Sequence, residues 1–281
     1  MVAPSRPAPG ATLTAPSYDD VSTSTRPPLV ARVLPPVLFA AVVILLWAWS
    51  ARSRPDSVLP SPARVSAETW QLLTSGQLGR ITWRSMSTMA LGYGVSAVVG
   101  ISIGLLLARR RLADAAVSPY LIGLQSLPSA VWVPVAVIFL GAAHSAVLAV
   151  TVLGALPSIA IGTRDAVHGI PPLLVRAART LGADGRFLLL RIVVPAALPG
   201  IVSGLEHGWA FAFRSLVAGE LITGAKDSGL GFFVNTAKQQ GRVDRLFAAV
   251  FVIMLIGVAV DRLGFARWQR RLRVQRGLAT S

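Results

Sequence analysis

The chain contains no cysteine, so neither a disulfide framework nor a cysteine-based metal site can be built from it. Charged residues make up only 14% of the 281 positions, and only two of them, Lys226 and Lys238, are lysines. The three histidines, His144, His168 and His207, are scattered, and none belongs to an H-E-x-x-H pair. No Ser/His/Asp motif is recognisable, and the G-x-x-x-x-G-K-[ST] loop that cradles nucleotide phosphates is missing. No enzyme chemistry, metal site or cofactor is therefore expected on this chain. Nor is an internal repeat evident, which counts against carriers built from inverted repeats.

What is present is apolar: 53% of residues are hydrophobic, and long runs carry no charge at all. That profile points to a membrane protein. A formal charge of +15 would suggest nucleic acid in a soluble protein, but here the basic residues flank the apolar runs. No nucleic-acid partner is expected. A bilayer core needs about 20 apolar residues per helix, which predicts an all-α integral membrane fold with six spans. They fall at 33–50, 85–108, 118–143, 145–163, 198–222 and 247–266 within a transmembrane domain of 29–266. The third and fourth runs nearly touch, so a buried hairpin or re-entrant segment competes with two spans there. In the second, Ser96, Gly100 and Gly104 repeat at four-residue spacing, a face on which another helix can approach closely.

Seventeen of the 27 basic residues lie on the side shared by both termini, the arginines of 109–111 and the 164–197 segment, against nine opposite. By the bias of basic residues toward the cytoplasm, both termini are predicted cytoplasmic. Residues 1–28, rich in Pro, Ala, Ser and Thr, read as a disordered cytoplasmic tail, and 267–281 as a basic one. The first span reads as a retained anchor rather than a cleaved signal.

The segment 164–197 is too long for a tight turn and too apolar for a solvated linker. Leu174, Ala177, Ala178 and Leu181 recur at helical spacing, with Arg176 and Arg179 turned away, and Gly182 suits a helix stop. Asp184 is placed to cap a second helix from Gly185, and Pro195 and Pro199 are expected to bend the chain as it re-enters the membrane. The reading is helix, turn, helix: a lever whose displacement must tilt the spans joined to it.

This stretch resembles the EAA loop of ABC importer permeases, whose pattern is Glu-Ala-Ala, three residues, Gly, nine residues, Ile, any residue, Leu, Pro. Ala177, Ala178, Gly182, Ile192 and Pro195 stand at matching positions, while Arg176 replaces the Glu and Val194 the Leu. The resemblance runs from about 75 to 273 through SLPSAVWVPVAVIFLG, RAARTLGA, VVPAALPGIVSGL, LVAGELITG and GLGFFV. It points to the branch importing aliphatic sulfonates, taurine, nitrate or bicarbonate. The resemblance implies a coupling loop at Arg176, Ala177, Ala178, Gly182, Ile192 and Pro195. It also implies a second permease copy, a separate cytoplasmic ATPase that holds ATP and Mg, an extracytoplasmic solute-binding protein and a bacterial cell membrane. A secondary transporter or channel driven by an ion gradient is the alternative.

Within the fifth span, Glu206, Arg214 and Glu220 fit one helical face, with His207 beside them. Ionisable groups in a bilayer usually face protein or water, so this face is a candidate solute pathway, with Gln125 and Ser126 as polar neighbours. Arg214 could offer its fork of donors to an oxyanion in transit. Satisfaction by backbone carbonyls or by a carboxylate on another helix is the structural alternative.

Overall fold

The computed structural model describes residues 29–53, 59–224 and 229–275, and within them every regular element is helical. The expected tail 1–28 lies outside the described residues. Helix α1, Leu29–Ser53, is a separate unit. It is apolar all round, and its window 34–53 has mean hydropathy 2.0 with nothing buried, the composition of a helix that meets lipid on every face.

The second unit begins with α2, Pro62–Thr74, opened by a hydrogen bond from Arg64 N to Ser61 Oγ at 3.4 Å. Then come α3, Gln77–Arg109, and α4, Arg111–Ser126. A 3-10 turn, Ser129–Val131, leads into α5, Trp132–Leu140, and α6 is His144–His168. After a segment described below, α9, Val194–Thr223, is followed by α10, Leu230–Gln239, and α11, Val243–Ala259. A π-helical stretch, Val260–Phe265, continues directly into α12, Ala266–Gln275, so the first half of the expected basic tail is helix.

Five of these helical stretches are long and apolar enough to cross a membrane, and six if α4 and α5 together make one span. The span expected over 118–143 is not one continuous helix. Instead, α4 and the 129–140 stretch meet at 94°. Leu127 and Pro128 are extended at the break, with ψ of 135° and 126°, and for Leu127 the cause is the following proline, which drives the residue before it out of the helical region.

The core of this unit is α6, gripped between α3 and α9. The small-residue face expected on α3 packs here: a methyl at Gly104 would come within 2.6 Å of Thr163 Cβ, and one at Gly100 within 3.0 Å of Ile159. On the other side of α6, a methyl at Gly162 would lie 2.6 Å from Gly204 Cα. Backbones this close trade side-chain volume for dense van der Waals contact, which is how helices associate where lipid removes the hydrophobic drive. Trp209 fills a gap between α9, α3 and the π-helical stretch, edge-on to Tyr93 at 5.4 Å and tilted against Phe265 at 6.4 Å.

Candidate functional site: the 164–197 segment and the charges of the fifth span

Helix α6 ends at His168, and Pro171 and Pro172 open α7, Pro172–Thr180, where a missing N–H costs nothing. The helix is closed by two backbone bonds: Gly182 N–H donates to Arg179 O at 2.9 Å, and Ala183 N–H to Ala178 O at 3.0 Å. This pairing requires a left-handed residue, and Gly182 supplies it at φ 83°. The turn carries Ala183 back onto Ala178, and both are buried with Leu188 against Val175, Ile192 and Val193.

Asp184 stands at the cap of α8, Gly185–Leu188, as expected, but its side chain makes no capping hydrogen bond. Its carbonyl does the work, accepting from Phe187 N–H at 3.1 Å and Leu188 N–H at 3.2 Å. A π turn, Leu189–Val193, then runs into α9, with Val194 N–H bonded to Leu189 O five residues back. The bend expected at Pro195 and Pro199 is not sharp, for 185–223 forms one 39-residue helical stretch. The widened turn accommodates the proline that an α-helical ladder could not.

The expected apolar face is therefore divided. Ala178 faces inward, while Leu173 is 77% exposed, Leu181 87% and Phe187 60%. Ala177 and Gly182 are also exposed, as is Arg176, which makes no ion pair among the described residues. Ile192 is half-buried in the small core and Pro195 is exposed in the first turn of α9. Ala178 and Leu181 are both within the helical turn before Gly182, but the chain folding back after Gly182 brings Ala183 and Leu188 over Ala178 and leaves Leu181 uncovered by the described residues. What results is a compact unit with its own core, an outward apolar surface and a rigid helical exit into the membrane.

The three charges expected on one face of the fifth span are also divided. Glu206 and Arg214 line a groove of about 480 Å³ between α9 and the last span, together with His207 and Asp261. Arg214 is exposed. Its Nε donates to Ala210 O at 3.1 Å and its guanidinium lies 4.9 Å from the Phe211 ring, with no carboxylate paired to it among the described residues. Glu206 accepts from Gln269 of α12.

Glu220 lies elsewhere, 2% exposed, outside the Arg214 groove and on the wall of a separate small cavity of about 130 Å³. It accepts from the Ser85 hydroxyl, which lies 2.9 and 2.8 Å from its two oxygens, and from Gly231 N–H at 2.9 Å. Ser85 Oγ in turn accepts from Leu230 N–H at 2.8 Å. The carboxylate thus ties α3 and α9 to the N-terminus of α10, where exposed backbone donors and the helix dipole favour negative charge. Gln125 is half-buried on α4 and does not line the Arg214 groove, and Ser126 donates to Gly123 O at 2.7 Å on its own helix.

Two features escaped the sequence reading. Ser85 carries no motif, and only the glycines of 229–231 hinted that a backbone comes close there. Glu68 on α2, nearly buried, is clamped by Arg245 at 2.6 Å and Arg242 at 3.2 Å, across 174 and more residues of chain.

The profile of binding-protein-dependent transport system inner membrane components matches residues 96–273. The chain belongs to this family. A putative ABC transporter permease of Methanocaldococcus jannaschii is 31% identical over 191 residues, 68% of this chain and 71% of that one. The nitrate import permease NrtB of Synechocystis is 28% identical across 82% of this chain and 86% of its own length. The bicarbonate transport permease CmpB of the same organism is 28% identical across 85% and 88%. Among solved structures, the inward-facing MetNI methionine ABC transporter matches with a TM-score of 0.59 at 23% identity, covering 69% of this chain and 95% of that one, a likeness of fold. The chain is thus the multi-pass permease subunit of an ABC importer. The matched region takes in the bent pair, the coupling segment and the last two spans, and leaves out α1 and α2.

Proposed function

We propose that this permease is one of two identical membrane subunits that import a small anion, an organic sulfonate, nitrate or a relative of these. ATP is bound with Mg and hydrolysed on a separate cytoplasmic ATPase, and solute is delivered by an extracytoplasmic binding protein. Both termini and the 164–197 segment face the cytoplasm, in line with the distribution of arginine.

The observation that carries this reading is the build of the coupling segment. Leu173, Ala177, Leu181 and Phe187 present apolar surface that none of the described residues covers, on a unit closed by its own caps and core. Solvated apolar surface on a rigid protrusion suits insertion into a partner's cleft. The unbroken passage from Gly185 to Thr223 then carries any displacement of that partner into the membrane. Arg214 supports an anionic solute: a guanidinium within a span that pairs with no carboxylate among the described residues is suited to meet water, a second copy or the solute. Relatives named for nitrate and bicarbonate import support the same class.

The test is reconstitution of the permease with its ATPase and binding protein in vesicles. Leu181→Asp is expected to abolish co-purification of the ATPase and ATP-driven uptake of labelled nitrate or sulfonate, while the permease still folds. Uptake by the isolated chain under an ion gradient alone would establish a secondary carrier instead.

A further inference from the structure

Behind the coupling segment lies a cavity of about 560 Å³ that the transport reading does not use. Its walls come from the end of α3, the end of α6 and the α7–α8 unit. Leu105, Ile170 and Leu188 line its apolar part, and three guanidiniums, Arg109, Arg179 and Arg186, share the lining. All three are exposed, and none is in an ion pair among the described residues. The uncharged run of α3 ends at Arg109, so one wall of the cavity stands at the level where a membrane helix leaves hydrocarbon for headgroups.

An apolar hollow with several cations at the bilayer boundary selects an amphiphile with an anionic head. We propose that this cavity binds an anionic phospholipid of the leaflet beside the coupling segment, its phosphate held by Arg109, Arg179 and Arg186 and its chain against Leu105 and Ile170. Guanidinium forks match phosphate oxygens two at a time, and the volume suits a headgroup with the start of an acyl chain. Because Arg179 and Arg186 belong to the coupling unit and Arg109 to α3, the lipid bridges the lever to a membrane helix. It takes from the preceding reading only which leaflet is meant.

Photoreactive phosphatidylglycerol, offered to the full-length permease in lipid nanodiscs without its ATPase, tests this. Cross-links are expected on peptides around 105–109 and 170–188. In the triple variant R109Q/R179Q/R186Q they should fall about tenfold or more, since each cation near an anionic surface is worth about a five-fold change in occupancy. Leu105→Trp, which fills the hollow and keeps the arginines, should lower them as well. Cross-links unchanged in both variants, or equal with photoreactive phosphatidylcholine, would overturn the proposal. So would full displacement by millimolar inorganic phosphate, which would assign the cavity to a free anion. Retained lipid labelling with lost ATPase binding would assign the arginines to the protein partner. Since no ATPase is present during labelling, failure here leaves the importer reading untouched, and failure of the importer reading leaves this result standing.

Discussion

The two ends of the helical bundle are held together by different chemistry. At the coupling end, a glycine-terminated helix and three buried side chains, Ala178, Ala183 and Leu188, make a small core, and large apolar residues remain outside. At the opposite end, carboxylates do the joining: Glu220 ties α3 and α9 to α10, and Glu68 ties α2 to the start of α11. An apolar unit can leave matching surface free for a partner, whereas a buried carboxylate is useful only when its donors are fixed around it. The contrast therefore separates an end that leaves apolar surface open among the described residues from an end whose polar groups are fixed to one another.

The comparison breaks most readily at Glu220. Glu220→Ala strands the Ser85 hydroxyl and Gly231 N–H in a buried site, and should cost about 3 kcal/mol, since each unsatisfied buried donor costs about 1–3 kcal/mol. Thermal unfolding of the purified permease measures this. Glu220→Gln keeps an acceptor for Gly231 N–H and should recover most of the loss. Stability unchanged in Glu220→Ala would mean that the carboxylate is not what joins these helices.

Glu68→Ala should act in the same direction by about half as much, because its arginine partners reach water and part of the attraction is screened. If the clamp fixes α2 to α11, protease cleavage within α2 should quicken in this variant while ATPase binding at the other end stays intact. Loss of ATPase binding would mean the two ends are not independent.

Much of this arrangement was legible in the sequence. Hydropathy located the spans because lipid imposes length and composition on them. The glycine repeat of α3 marked a packing face, and the punctuation of 173–185 marked helix, turn, helix. Less legible was whatever depends on a chain reversal or on residues far apart. Ala178 and Leu181 lie near one another on a helical wheel, but only Ala178 is covered once the chain turns back at Gly182. The burial of Glu220 could not be read because its partner, Ser85, lies 135 residues away on another helix. The angle of the break at Pro128 was not readable either, because it falls inside an apolar run long enough to span, and run length does not distinguish a bent segment from a straight one.

Gly182→Ala sharpens the apolar end. A left-handed backbone costs a residue with a Cβ about 1 kcal/mol, and no neighbour lies within 4 Å to add a clash. The expected result is a small loss of stability with a larger loss of ATP-driven uptake, because the turn sets how Ala183 and Leu188 close on Ala178 and where Phe187 lies relative to Leu181. Ala178→Leu attacks the same unit from inside by overfilling its core. If both variants transport normally, the lever has been assigned to the wrong segment.

Arg176→Glu should have the smallest effect, although it restores the residue most typical of the resembling motif. Arg176 is exposed, with only a backbone role in the unit: its carbonyl accepts from the Thr180 hydroxyl at 3.2 Å. Exchanging its side chain should change folding stability by less than about 0.5 kcal/mol, as exposed substitutions away from caps and cores do. Any effect must then come from the partner's charges. Affinity for the native ATPase, measured across a salt series, separates the possibilities. A drop in affinity that vanishes at high salt means the ATPase carries an acid matched to Arg176, and a gain means it has kept a cation suited to Glu. An effect on permease stability comparable to that of Gly182→Ala would show that the apolar end also relies on charge, and the distinction between the two ends would fail.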